Sequence, residues 1–228
     1  FFKDKAYLVT FKKVDPFYVV DVAAPSSLAI LGELELPGYS SFLQPIGNDL
    51  IFGIGKDAKG GDDSFAWYQG VKVGLFNVAS PMEPSLVDEF VLGKRGSSSA
   101  AELDHKAITI IPSVEGNQWR VALPVSINAE PNAGNSWTRD PDAQHYNWSF
   151  DALFLFDITG NEHAQGASLI RNDFLETARS DNTLRRSSFY GINGSVLKGD
   201  SVHYFYGGTL WSADWSFPEI TNVVDEGS

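Results

Sequence analysis

The chain has 228 residues, 43% of them hydrophobic and 13% aromatic, which suffices for a sizeable core and favours the pleated, half-buried surface of strands. Its formal charge is −12, which opposes nucleic acid and anionic membrane, because phosphate contacts need clustered Lys and Arg. It has no cysteine, which excludes disulfides and thiolate metal centres, and no run of about 18 apolar residues that would span a membrane as a helix.

In chain order, alternation and turn residues predict strand after strand. The first are 5–11, 17–22 and 28–36, with Asp15-Pro16 and Ala24-Pro25 at the turns. Pro37-Gly38 breaks the chain before 41–46. Gly47-Asn48-Asp49 reads as a hairpin turn, since Gly and Asn tolerate positive φ. Strand 50–54 follows, then a glycine-rich acidic loop over 56–70, then 71–78. The later half predicts strands at 105–111, 119–125, 152–158 and 168–174, and a last set at 188–192, 202–206, 209–213 and 220–224. Two short segments, 97–103 and 175–179, read as helical.

Three stretches, 17–38, 75–93 and 153–175, follow one plan. Each has an apolar run ending in Asp or Asn, a small-residue turn and a second apolar strand. Asp21, Asn77 and Asp157 fill one slot, where a side-chain oxygen can accept the backbone N–H groups of the following turn. Units that repeat in this way cannot bury their faces alone and stack radially. The expected fold is therefore all-β: a β-propeller, partial or small, of about four blades of four antiparallel strands. The approximate blades are 1–38, 39–93, 104–175 and 186–225. The spacing exceeds the roughly 40–50 residues of a four-stranded blade, so insertions are expected at 56–70 and 126–150. The first unit lacks an innermost strand. The expectation is that the propeller continues into upstream blades of a longer protein, or that the chain self-associates.

The blocks AYLVTFKKVDPFYVVDVAAP (6–25), LGELELPGYSSFLQPIG (31–47), FGIGKDA (52–58), LFNVASP (75–81) and DHKAI (104–108) resemble a family of secreted bacterial and archaeal proteins. These carry a C-terminal β-propeller domain distantly related to WD40 repeats. The resemblance implies a propeller, export to the cell envelope or the extracellular space, and a longer parent protein. It supplies no catalytic residues. Asn77 departs from the more usual Asp of its turn, and the 126–150 insertion is longer than the family pattern.

Three groups of residues are candidates for chemistry. Tyr39, Asp104, His105, Lys106, Arg185 and Arg186 open the first strands of their units, which line a propeller's central channel. On a strand, Asp104 and Lys106 would share one face and His105 the other. The chain has four histidines, without the HExxH or paired spacing of zinc sites. Asp57, Asp62 and Asp63 lie in one acidic loop, and Asp140 and Asp142 in a second. Either could ligate calcium, which takes about 6–8 oxygens, but EF-hand spacing is absent and a solvated loop with no cofactor is the expectation. Trp67 and Tyr68 lie in one insertion; Trp137, His145, Tyr146, Trp148 and Phe150 lie in or beside the other. Exposed aromatics in loops mark binding to sugars or proteins, or else fold back onto their own blade.

No G-x-S-x-G elbow, P-loop or dinucleotide fingerprint is present. The expected function is an interaction module for protein or polysaccharide. The alternative is an extracellular hydrolase at the channel mouth, using the Tyr39, Asp104, His105, Lys106, Arg185 and Arg186 set.

Overall fold

The computed structural model describes residues 1–10, 14–59, 66–113, 118–132, 140–160, 164, 166–179, 193–216 and 220–225. Among them the chain is all-β, as expected, and forms four antiparallel sheets in succession. The first holds β1 (Lys5–Val9), β2 (Val14–Asp21) and β3 (Ala29–Pro37). The second holds β4 (Tyr39–Ile46), β5 (Leu50–Lys59), β6 (Trp67–Asn77) and β7 (Ser85–Leu92). In the third, β8 (Ser98–Ser99) and β9 (Thr109–Pro112) share one side of β10 (Gln118–Pro131), and β11 (Tyr146–Thr159) and β12 (Ser168–Arg179) follow on the other. The fourth holds β13 (Gly194–Lys198), β14 (Ser201–Tyr206), β15 (Thr209–Asp214) and β16 (Ile220–Asp225).

Each sheet is a meander in chain order. Local pairing of this kind leaves the two faces of every sheet to be covered by its neighbours. The second, third and fourth sheets share one core, which includes Phe52, Leu75, Leu123, Phe156 and Tyr204. The first sheet packs on the second through a separate cluster of Phe17 and Val19 against Ile51, Phe76 and Val78. The rings of Phe17 and Phe76 stack at 4.9 Å. Burying a side chain of this size contributes about 2 kcal/mol.

The repeat has a hydrogen-bonded signature. Asp21, Asn77 and Asp214 end β2, β6 and β15, and each accepts the N–H two residues on, from Ala23, Ala79 and Ser216, at 2.9 Å. The residue after each reaches back to the preceding hairpin. Val22 donates to the Asp4 carbonyl at 2.9 Å, Val78 to Asp49 at 2.8 Å and Trp215 to Asp200 at 2.7 Å. Asp157 does not fill this slot. It stands two residues before the end of β11, and its carboxylate accepts from Trp215 Nε1 and Asn172 Nδ2 instead.

Three expectations about elements are corrected. The strand expected at 105–111 begins only at Thr109, because two 3-10 helices, Ala100–Glu102 and His105–Ala107, interrupt the inner strand between β8 and β9. Ser99 and Glu102 form a capping box on the first, satisfying two otherwise unpaired donors. Segment 175–179 is the end of β12, not a helix. The inner strand of the fourth sheet is β13; the expected strand at 188–192 lies outside the described residues. Where described, the insertions are mostly long hairpin arms rather than loops. β5 and β6 extend to Lys59 and from Trp67, and β10 and β11 to Pro131 and from Tyr146.

These arms open on the same face as the links from the first to the second sheet and from the second to the third. The first link turns at Gly38, whose φ is 81° and whose Cβ position lies 1.9 Å from the Lys56 carbonyl, so a side chain is excluded there. Among the described residues no helix is long and apolar enough to cross a membrane.

Candidate functional site

The face carrying the hairpin arms gathers most of the aromatic candidates around one arginine. Arg95 lies in the link between β7 and β8. Its guanidinium covers the Trp67 ring at 4.4 Å. Its Nε donates to His145 Nε2 at 3.2 Å and its Nη1 to the Tyr68 carbonyl at 3.2 Å. The Arg95 carbonyl accepts the Tyr146 N–H at 3.1 Å. The Trp67 indole N–H donates to Asp140 Oδ2 at 2.8 Å, and Gln69 Nε2 to the Asp142 carbonyl at 2.9 Å. The start of β6 in the second sheet is thus tied to residues 140–146 of the third. Tyr39, at the start of β4, meets Tyr68 edge to face at 5.0 Å, and Tyr68 is 39% exposed.

The local folding follows from the sequence. Asp140 caps the 3-10 helix Pro141–Ala143, accepting the Asp142 N–H at 2.9 Å through Oδ1. Pro141 supplies the fixed φ that a first helical position favours. The other carboxylate oxygen remains for Trp67. Asn128 Nδ2 donates to the Tyr146 carbonyl at 2.6 Å and secures the same hairpin. Partial desolvation beside the Arg95 side chain, and then the Arg95 charge, hold the exposed His145 imidazole below its usual pKa. Burial also lowers that of Arg95, from a value so high that the charge persists at neutral pH.

Trp67, Tyr68, Tyr146 and Trp148 all stand on strands. Trp67 and Tyr146 bridge to the neighbouring sheet or link, whereas Trp148 turns inward and donates to Asp151 Oδ1 at 2.8 Å. Trp137 lies outside the described residues.

Of the channel set, Asp104, His105 and Lys106 are not on a strand, whereas Tyr39 opens β4. Asp104 caps the second 3-10 helix, its carboxylate accepting the Lys106 N–H at 2.9 Å. Asp104, His105 and Lys106 are all exposed, so the alternation of faces expected for a strand does not hold. The first 3-10 helix touches β4 and β5, and the second touches β13. The interruption therefore sits between inner strands, where Lys56 of β5 pairs with Glu102 at 2.9 Å. Tyr39 lines a different feature, an apolar cleft between the first and second sheets with Val9, Phe17, Leu36 and Phe76. Asp104, His105 and Lys106 do not line it. Arg185 and Arg186 lie outside the described residues.

Asp57 is buried on β5. Burial pushes its carboxyl up, against the opposing charge of Lys72. Lys72 itself donates to the Pro37 carbonyl at 2.9 Å and pairs with Glu89 at 3.0 Å. Asp62 and Asp63 lie outside the described residues, and among those described no group of three or more acidic or histidine side chains gathers as metal ligands.

Arg95 and Gln69 are the site residues that the sequence reading missed. Arg95 follows Leu92-Gly93-Lys94 at a sheet exit, where a basic residue carries no periodic signal. Only the spatial approach of residues 67 and 145 reveals its role.

Comparison with known proteins agrees with this architecture. An uncharacterized protein of Methanocaldococcus jannaschii is 45% identical over 92 residues, which cover 40% of this chain and 13% of that protein. One of Archaeoglobus fulgidus is 32% identical over 89 residues, which cover 39% of this chain and 13% of that protein. The matches thus span about an eighth of each relative's length. A family model described as a beta propeller domain matches residues 1–217, and with its four successive meander sheets the chain belongs to that family.

Proposed function

We propose that this propeller is an interaction module that binds protein or polysaccharide through the face carrying the hairpin arms. The observation that carries this reading is the Tyr39, Trp67 and Tyr68 group on the second sheet, with Arg95 over Trp67, bonded to the Tyr68 carbonyl and reaching His145 of the third sheet. A half-exposed tyrosine on a rigid support supplies contact area at small entropic cost. Function is not set by fold alone, and the reading rests on this group. The family resemblance of the first blocks supports export, to the envelope or the extracellular space.

A hydrolase at the channel mouth draws less support. The Asp104 carboxylate is engaged in its own turn, and Tyr39 lines a cleft that the 104–106 turn does not enter.

The first sheet supports a further part of the proposal. Among the described residues it has three strands, and Leu8 and Ile30 on them are 51% and 64% accessible. Exposed apolar sheet surface and open edges favour association. Further blades of a longer polypeptide are the proposed cover, and self-association is the alternative that sedimentation separates.

The binding proposal is tested by a glycan and peptide array with the intact parent protein, followed by Tyr68→Ala. Loss of one stacked ring should weaken the best ligand about 5–10-fold. Unchanged affinity would place the binding surface elsewhere.

A further inference from the structure

We propose that Arg95 and His145 form an acid-sensitive clasp, holding residues 140–146 of the third sheet against the start of β6 at neutral pH and releasing them when His145 gains a proton.

The geometry fixes the protonation state. Arg95 Nε carries a hydrogen and always donates, so His145 Nε2, at 3.2 Å, must be the acceptor. The neutral imidazole then has its proton on Nδ1. A second proton on Nε2 would set N–H against N–H and place two cations side by side. His145 is exposed, so solvent protons reach it directly.

The contact is the hub of a larger joint. The same guanidinium covers Trp67 and holds the Tyr68 carbonyl, and the Arg95 carbonyl holds Tyr146. The other charged groups here are Lys94 in the same link and Asp140 and Asp142 in the adjoining 3-10 helix. Asp140 is engaged with the Trp67 indole. The side chain of Gln69, which comes from β6, carries no charge. Of these, Arg95 is the one whose charge, with partial desolvation, bears on His145.

The sign follows from linkage. The folded-state pKa of His145 is lowered, so the unfolded or released segment binds the proton more readily. The clasp is whole above the ordinary histidine pKa of about 6.5. It weakens as pH falls from there toward the lowered value.

Hydrogen exchange of the segment 140–148, corrected for intrinsic rates, is the test, and it needs no ligand. A failed clasp is therefore distinguishable from a failed binding proposal. Between about pH 7.5 and about pH 5 the wild-type segment should lose protection several-fold while β5 keeps its own. His145→Gln, whose amide oxygen accepts from Arg95 without titrating, should lose none. Arg95→Ala should show weak protection at both pH values. Equal wild-type protection at both, or an equal fall in His145→Gln, overturns the proposal, as does neutral-pH protection retained in Arg95→Ala. Should the variants not fold, the wild-type imidazole decides by NMR. A neutral ring protonated on Nδ1 supports the clasp, and one protonated on Nε2 overturns it.

Discussion

Two tryptophans in this chain are held in the same way. The Trp67 indole donates to Asp140 while Arg95 covers its ring. The Trp215 indole donates to Asp157 at 3.1 Å while Arg120 covers its ring at 5.0 Å. Each joins neighbouring sheets, and Arg120 extends the second joint by donating to the Gly199 carbonyl at 2.6 Å and to Asp200 at 2.7 Å. A cation over an indole adds about 0.5–2 kcal/mol, depending on desolvation. A third joint is buried. Asp151 is fully enclosed and accepts from Trp148 Nε1 at 2.8 Å and from the Tyr206 hydroxyl at 2.6 Å. Burial, with Tyr206 and Asp151 nearby, pushes the Tyr204 phenol far up, so it stays neutral. Asp151→Ala leaves two donors unmet and should cost about 3 kcal/mol in denaturant unfolding, and Tyr206→Phe about 1 kcal/mol. The double variant should cost less than the two together. Strict additivity would contradict a shared bond. The sequence marks Trp67 and Trp148 as notable by type, but not Trp215, Tyr204 or Tyr206. It does not mark Arg95, Arg120 or Asp151, because their partners are distant in the chain and meet only once the sheets pack.

Among the elements, the turn that closes β2, β6 and β15 shows how far a sequence slot can be trusted. Asp21 and Asn77 were legible because apolar strand, polar cap and small-residue turn follow directly. Asp157 matched the same pattern within LFLFDITG, yet β11 runs on to Thr159. Its side chain is thereby committed to the neighbouring sheet. Asp214, in SADWS, was overlooked because Trp215 hides the small-residue turn, yet it makes the Asx bond to Ser216. The two aspartates should therefore respond differently. Asp214→Ala removes one turn bond and should cost about 1 kcal/mol. Asp157→Ala removes the acceptor for Trp215 and Asn172 and the charge near Arg120, and should cost about 2 kcal/mol or more. Urea unfolding of the two variants checks this, and equal costs would contradict the assignment. The hairpin arms were less legible than the strands that lead into them. Residues 56–59 and 126–131 mix Asp, Asn, Glu, Gly-adjacent and Pro positions that read as loop. Packing against the adjoining sheet and link extends the pairing through them, which no local pattern encodes.

For the whole molecule, the order of four meander sheets was readable because each is built from strands adjacent in sequence. How the sheets lean on one another was not, since it depends on contacts across long separations. The central claim is that the sheets stand radially, with their inner strands side by side. The inner strands of the third and fourth sheets meet at Thr109 and Ser195, whose hydroxyl oxygens are 2.8 Å apart across 86 positions of chain. Side chains that meet at their hydroxyls are close enough to test by a disulfide. The chain has no cysteine to compete. The double variant Thr109→Cys, Ser195→Cys, oxidised in the folded state, is expected to form an intramolecular disulfide that raises the unfolding midpoint. Two free thiols persisting in the folded, oxidised protein would contradict the radial arrangement.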